Sequence, residues 1–185
     1  MTGSARGNPN GRHLGRSGDD DPTDRLIRRL WQGRRTATLG ELAQIQGRIA
    51  AAQFNPDQVD VPERWRGRTY TGILLGERVD SLLVHTLQRV WRDKQWALGT
   101  TPEQYLADLR RSLRDPGTEL VLYESRGALV VGALAPNRVP QSRRGRAVGP
   151  FVYAVYSVSR GILLTGYQVA GRQGVPVPGD RWWLR

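Results

Sequence analysis

The sequence predicts an α+β domain: N-terminal helices followed by a roughly four-stranded antiparallel sheet, with the helices packed on one face. Two observations carry this expectation. Between Asp24 and Arg114 apolar residues recur at helical spacing behind N-capping residues, and after Gly117 the period switches to two. With 185 residues the chain is long enough for one core of ordinary size.

Residues 1–22 are Gly-, Asn-, Ser-, Arg- and Asp-rich and read as a disordered basic tail. A first helix follows, with Leu26, Ile27, Leu30 and Trp31 on one side and Gly33 as its stop. Thr38 and Glu41 form the capping box of a second helix whose stripe is Leu42, Ile45 and Ile49. The turn-rich stretch from Asn55 holds one short strand at Thr69 to Leu75, so residues 23–75 read as an N-terminal helical accessory region. A third helix is expected from Val79 to about Trp96, with Leu83, Leu87, Val90 and Trp91 together. The fourth is signalled by Thr101 as N-cap, Pro102 at the first helical position, Gln104 closing the box, and Asp115-Pro116-Gly117 as terminator. Then "ELVLYES" and "GALVVGALA" read as one hairpin, "FVYAVYSV" and "GILLTGYQV" as a second. Between them lies a long basic loop, "PNRVPQSRRGRAVGP", expected to be flexible.

The composition excludes several chemistries. There is no Cys, and His13 and His85 are the only histidines, so neither a disulfide framework, a thiolate metal site nor a histidine cluster is available; an enzyme of this composition is expected to be metal-independent, or to hold Mg²⁺ weakly through carboxylates, and no cofactor is expected. No apolar run approaches the ~20 residues of a membrane span, and the N-terminus lacks a signal-peptide apolar region. The expectation is no membrane contact, with a cytoplasmic location or export by a dedicated non-Sec system. P-loop, zinc and G-x-S-x-G patterns are absent.

The charge is more telling. The formal net charge is +11, and Lys94 is the only Lys among 28 basic residues. Residues 126–185 carry nine Arg against a single acid, Asp180, a one-signed surface suited to a polyanion such as RNA. Arg138, Arg143, Arg144 and Arg146 of the basic loop, with Arg160 in the last turn, are the candidate nucleic-acid contacts.

In the second hairpin, a turn at Ser159 to Gly161 sets Val155 across from Thr165 and Tyr153 across from Tyr167 on one face. Val152, Ala154, Tyr156, Val158, Ile162 and Leu164 take the other face, toward the helices. The first face could bind a phosphate through Thr165 and stack a base on Tyr167 or Tyr153; equally, Thr and Tyr are ordinary strand formers. His85 falls opposite the Leu83, Leu87 and Val90 stripe, with Arg89 one turn on and Arg92 two turns on. Those guanidiniums disfavour the imidazolium, leaving either a neutral general base or a solvated surface histidine. Trp182 and Trp183 either stack on bases or dock on the core. Together these groups could support metal-independent transesterification of RNA, in which a base removes the 2′-hydroxyl proton and Arg stabilises the phosphoryl oxygens.

This layout resembles the barnase, EndoU, colicin and RelE group of metal-independent ribonuclease toxins. The similarity rests on His85 on one helix, Thr101 with Glu103 and Tyr105 opening the next, and Thr165 with Tyr167 on a last strand "GILLTGYQV". The resemblance spans about residues 79–169 and makes 76–185 a nuclease-like α+β domain. It implies His85 as base, Arg89 or another Arg on the phosphate, and Thr165 and Tyr167 holding the scissile phosphate and a neighbouring nucleotide. It further implies tRNA or rRNA as substrate and an acidic immunity or antitoxin partner. Members often carry a Lys or second His near the first; here those positions are Ser81 and Leu82, so an Arg must supply that charge. Two other functions fit the same charge: a non-catalytic nucleic-acid-binding protein, phage or ribosome associated, that uses the Arg138–Arg146 loop as a clamp, and an assembly protein that binds an acidic partner.

Overall fold

The computed structural model describes residues 21–61, 69–70, 73–74 and 78–184. Helix α1, Pro22–Gly33, starts earlier than the apolar pattern suggests, because the Asp21 carboxylate accepts from Thr23 N at 2.8 Å and caps it. Residues 1–20 of the expected tail lie outside the described residues. The Thr38 capping box opens α2, Leu39–Ala51, as expected. Strands β1, Gln58–Asp60, β2, Thr69–Tyr70, β3, Ile73–Leu74, and β4, Arg78–Asp80, form two small hairpins, β1 with β4 and β2 with β3, in place of the one strand expected at Thr69 to Leu75.

The third helix is shorter than its pattern. Val79 pairs with Val59 in the β1–β4 hairpin, and the Asp80 side chain then caps α3, Ser81–Leu87. A π-helical turn at Gln88–Arg92 continues it and closes when Asp93 N donates to Gln88 O at 2.9 Å. Lys94 at φ 54° turns the chain away, so Trp96, expected at the helix end, is packed into the core from a loop. Helix α4, Pro102–Leu113, has the capping box and terminator that the sequence specifies.

Strands β5, Glu119–Ser125, β6, Ala128–Pro136, β7, Phe151–Ser157, and β8, Ile162–Val169, make an antiparallel meander. A fifth strand, β9, Arg181–Trp183, pairs with β5, so the sheet has five strands in the order β8-β7-β6-β5-β9, not four. Alternation along β9 sends Trp182 to the helix side of the sheet and Trp183 to the other, so both indoles dock on the protein.

The architecture is α+β, with one face of the sheet under the helices. The main core joins Leu26, Leu30 and Ile49 of α1 and α2, Tyr105 and Leu109 of α4, and Leu122, Val131 and Ala154 of the sheet. Helices α1 and α2, placed by sequence in an accessory region, are therefore part of the same core. The register Val155↔Thr165 and Tyr153↔Tyr167 is as expected, but a bulge follows, with Tyr156 opposite Leu163. The extra residue reverses the alternation: Leu163 enters the helix-side core, and Leu164, expected there, packs on the opposite face.

Candidate functional site

Strand β8 lies at the edge of the sheet; near its start Leu163 N donates to the Gln53 carbonyl at 2.7 Å in a single bridge with the chain at Phe54, and further along side chains cover its free polar groups. Arg89, from the π-helical turn, donates from Nε to Gly166 O at 2.9 Å and from Nη2 to Thr165 Oγ1 at 3.0 Å, and pairs with Asp93 through Nη1. Its guanidinium also lies 5.0 Å from the Tyr167 ring centre. Tyr105 OH donates to Gly166 O at 2.8 Å, and Gln95 and Gln168 exchange three hydrogen bonds further along the edge.

The Thr-Gly-Tyr run now has a physical reason. A Cβ on residue 166 would sit 2.7 Å from Leu109 Cδ1 and 3.3 Å from Tyr105 OH, so glycine is what lets α4 approach β8. Gly166→Ala is expected to destabilise the fold by about 1–3 kcal/mol in urea unfolding, because both neighbours are fully buried and have no room to move.

His85 is not the solvated residue that its helical wheel suggests. The Leu83 and Leu87 stripe packs on the small β1–β4 hairpin, and the opposite side of α3, carrying His85, turns inward against Phe54. The ring centres are 4.9 Å apart, and Nδ1 is buried without a hydrogen-bond partner. Desolvation, and secondarily the Arg89 charge, push the imidazole pKa down to about 4, so the ring is neutral at pH 7. The same guanidinium reaches Thr165 and lies over Tyr167, so Arg89, Thr165 and Tyr167 meet on one stretch of the β8 edge, while His85 stands one helical turn before Arg89 and packs on Phe54.

Beyond that edge, on the face opposite the helices, a cleft of about 500 Å³ is floored by Val130, Val155 and Leu164. Thr165 and Tyr167 line one side, and Pro176 and Pro178 from the segment after β8 line another. Arg126 and Arg160 stand exposed at its rim, because a meander brings the β5–β6 and β7–β8 turns to the same end of the sheet. Arg126 was legible from the two hairpins but was not singled out as a contact. Neither His85 nor Arg89 lines this cleft; Arg89 touches it through its bond to Thr165.

Several expected contacts are corrected. Tyr153 is fully buried, its hydroxyl 2.9 Å from that of Tyr123 and its ring edge-on to Tyr167, so it cannot stack on a base. Burial pushes its phenol pKa far up. The basic loop is stitched down rather than flexible: Ala97 N donates to Arg143 O, Gly145 N to Gln95 O and Ala147 N to Lys94 O, at 2.9, 3.0 and 2.9 Å. Within it Arg138 is paired with Asp115, and Arg143 with fully buried Asp108. Arg144 and Arg146 remain exposed.

Among the described residues no group of three or more His, Asp or Glu side chains is placed to hold a metal, and no helix is long and apolar enough to cross a membrane. No family model, curated protein or solved structure matches this chain.

Proposed function

We propose that this domain is a metal-independent endoribonuclease acting at the β8 edge. The observation that carries the reading is the bond from Arg89 Nη2 to Thr165 Oγ1 at 3.0 Å. It joins residues 76 positions apart that were singled out separately from sequence, and His85 stands one helical turn before Arg89.

In this reading an RNA strand crosses the edge of β8, with its scissile phosphate at Thr165. Arg89 donates to the Thr165 oxygen, so the hydroxyl hydrogen is left to bond a phosphoryl oxygen. Because Arg89 is already held by Asp93, Gly166 and Thr165, it positions that hydroxyl and adds positive potential rather than clasping the phosphate itself. Neutral His85 removes the 2′-hydroxyl proton through Nε2, the 2′-oxygen attacks phosphorus, and the 5′-oxygen leaves with a proton from water. The products are a 2′,3′-cyclic phosphate and a 5′-hydroxyl. Tyr167 offers a face for a neighbouring base, and Arg126 and Arg160 meet flanking phosphates from the cleft rim.

The test is digestion of total tRNA and rRNA in EDTA with end-group analysis. The expected result is cyclic-phosphate ends from the native chain, with cleavage about 10²-fold slower for Thr165→Ala and RNA affinity nearly unchanged. Affinity for RNA without any cleavage would leave a non-catalytic RNA-binding protein instead. An acidic partner bound with no RNA affinity at moderate salt would favour the assembly reading.

A further inference from the structure

The π-helical turn that aims Arg89 at β8 presents its next residues, Val90 and Trp91, to a different cavity. This groove has a volume of about 490 Å³, within the range of small-ligand sites, and runs between the turn and the pinned basic loop. Val90, Trp91, Trp96 and Leu98 give it an apolar lining, while Lys94, Arg144 and Arg146 supply three exposed cations. No acid lines it. Leu98 is 70% exposed, a large apolar side chain left uncovered beside those charges.

The groove is also preorganised. Lys94 is held at φ 54°, a left-handed conformation that a non-glycine residue keeps only where its surroundings impose it. A Cβ on residue 145 would lie 2.1 Å from Lys94 O, so glycine there lets the loop close directly on the backbone of Lys94 and Gln95. The three backbone hydrogen bonds between the 94–97 and 143–147 segments fix both walls. An apolar lining that includes two indoles, together with three cations, matches the two halves of a nucleotide, a base and its phosphates.

We infer that this groove binds one nucleotide of a single-stranded RNA, its base against Trp91 and Leu98 and its phosphates on Lys94, Arg144 and Arg146. The inference rests on the RNA-cleaving reading for the choice of an RNA strand, and it adds a second contact point on the same π-helical turn as Arg89. A strand held there and at Thr165 would be bound at two points, which favours oligonucleotides over mononucleotides.

The experiment measures binding of a 2′-O-methyl RNA octamer, which lacks the attacking hydroxyl, and of AMP, by anisotropy and calorimetry as a function of salt. The native chain is compared with the triple variant Lys94→Gln/Arg144→Gln/Arg146→Gln and with Leu98→Ser. All three cations are exposed, and since Arg144 also donates from Nε to Val139 O at 3.0 Å, circular dichroism and urea unfolding verify that the triple variant is folded before its affinity is read. Its octamer affinity is expected to fall by at least about tenfold at 0.1 M salt, with the salt slope reduced by about 2, near 0.7 for each lost phosphate contact. Leu98→Ser should weaken binding with the slope unchanged. Under cleavage conditions the triple variant should raise KM and leave kcat intact. Unaltered octamer affinity in the triple variant overturns the subsite, even if the native chain cuts RNA. Tighter groove-dependent binding of an oligoglutamate peptide than of the octamer also overturns it, and assigns the groove to a protein partner. Groove-dependent selection of AMP over the octamer overturns the strand and leaves a free-nucleotide site. If the native chain cuts no RNA but loses octamer binding in the triple variant, the subsite stands and the cleavage reading falls.

Discussion

His85→Ala is expected to lower kcat/KM for RNA by about 10²–10⁴-fold, the usual contribution of a positioned general base. The geometry gives this prediction an unusual pH signature. Because the ring lies on Phe54 in a desolvated position, its pKa is down to about 4, so the base stays competent well below pH 6. The acid limb of the kcat/KM profile should therefore fall near pH 4, not near the 6.5 of a solvated imidazole, and residual cleavage by His85→Ala should lack that limb. A His85→Ala protein that cuts at the native rate would remove His85 from the mechanism. An acid limb near 6.5 would mean that the base is a differently placed group.

The same depressed pKa ties stability to pH. The unfolded chain takes up the His85 proton below about 6.5, whereas the folded chain resists it until about 4, so acidification through that window favours unfolding. The loss is at most about 3 kcal/mol, and it should be absent from the pH dependence of the His85→Ala protein. This linkage follows from burial alone and so checks the depressed pKa, whereas the kcat/KM profile of His85→Ala checks the catalytic role.

What the sequence disclosed depended on whether a local rule decided the outcome. Capping boxes at Thr38 and Thr101, the terminator at Asp115, both hairpin turns and the Val155↔Thr165 register are settled by residues within a few positions of one another, and all were legible. The errors arose where tertiary partners decided. The stripe on α3 was real, but the β1–β4 hairpin also needed an apolar partner, which turned His85 inward. The bulge after Val155 and the fifth strand depend on neighbours distant in sequence, and period-two counting has no access to them. Tyr153 was assigned to the correct face, but that face is covered by the segment around Val175 and Val177, which closes over it after β8. The convergence of Arg89 on Thr165 was expected only in outline. Spacing along a helix says which residues share a side, whereas the bonds to Gly166 and Asp93 that commit the guanidinium appear only in three dimensions.

Arg143 shows how far charge counting can mislead, and its loss should destabilise the fold strongly. Among the loop arginines it looked like a phosphate ligand, yet its Nε and Nη2 donate to the two oxygens of Asp108 at 2.8 and 2.5 Å. Asp108 lies on α4, is fully buried, and has one further donor, Trp96 Nε1 at 3.3 Å. Arg143→Ala would leave a buried carboxylate facing an indole alone, an expected loss of about 3–5 kcal/mol in urea unfolding. Arg143→Lys should recover part of it, since an ammonium restores the charge but not the two-pronged geometry. The double variant Arg143→Ala/Asp108→Ala should be less destabilised than the sum of its parts, because much of the single-variant loss is the stranded charge itself. A loss under about 1 kcal/mol for Arg143→Ala would place the pair with ordinary surface ion pairs. The consequence reaches the groove proposed to bind a nucleotide, since this pair and the backbone bonds beside it hold the 143–147 wall. In Arg143→Ala, octamer affinity should fall through a loosened wall, with the salt slope close to native, because a guanidinium bound to Asp108 neutralises no phosphate and so releases no counterion.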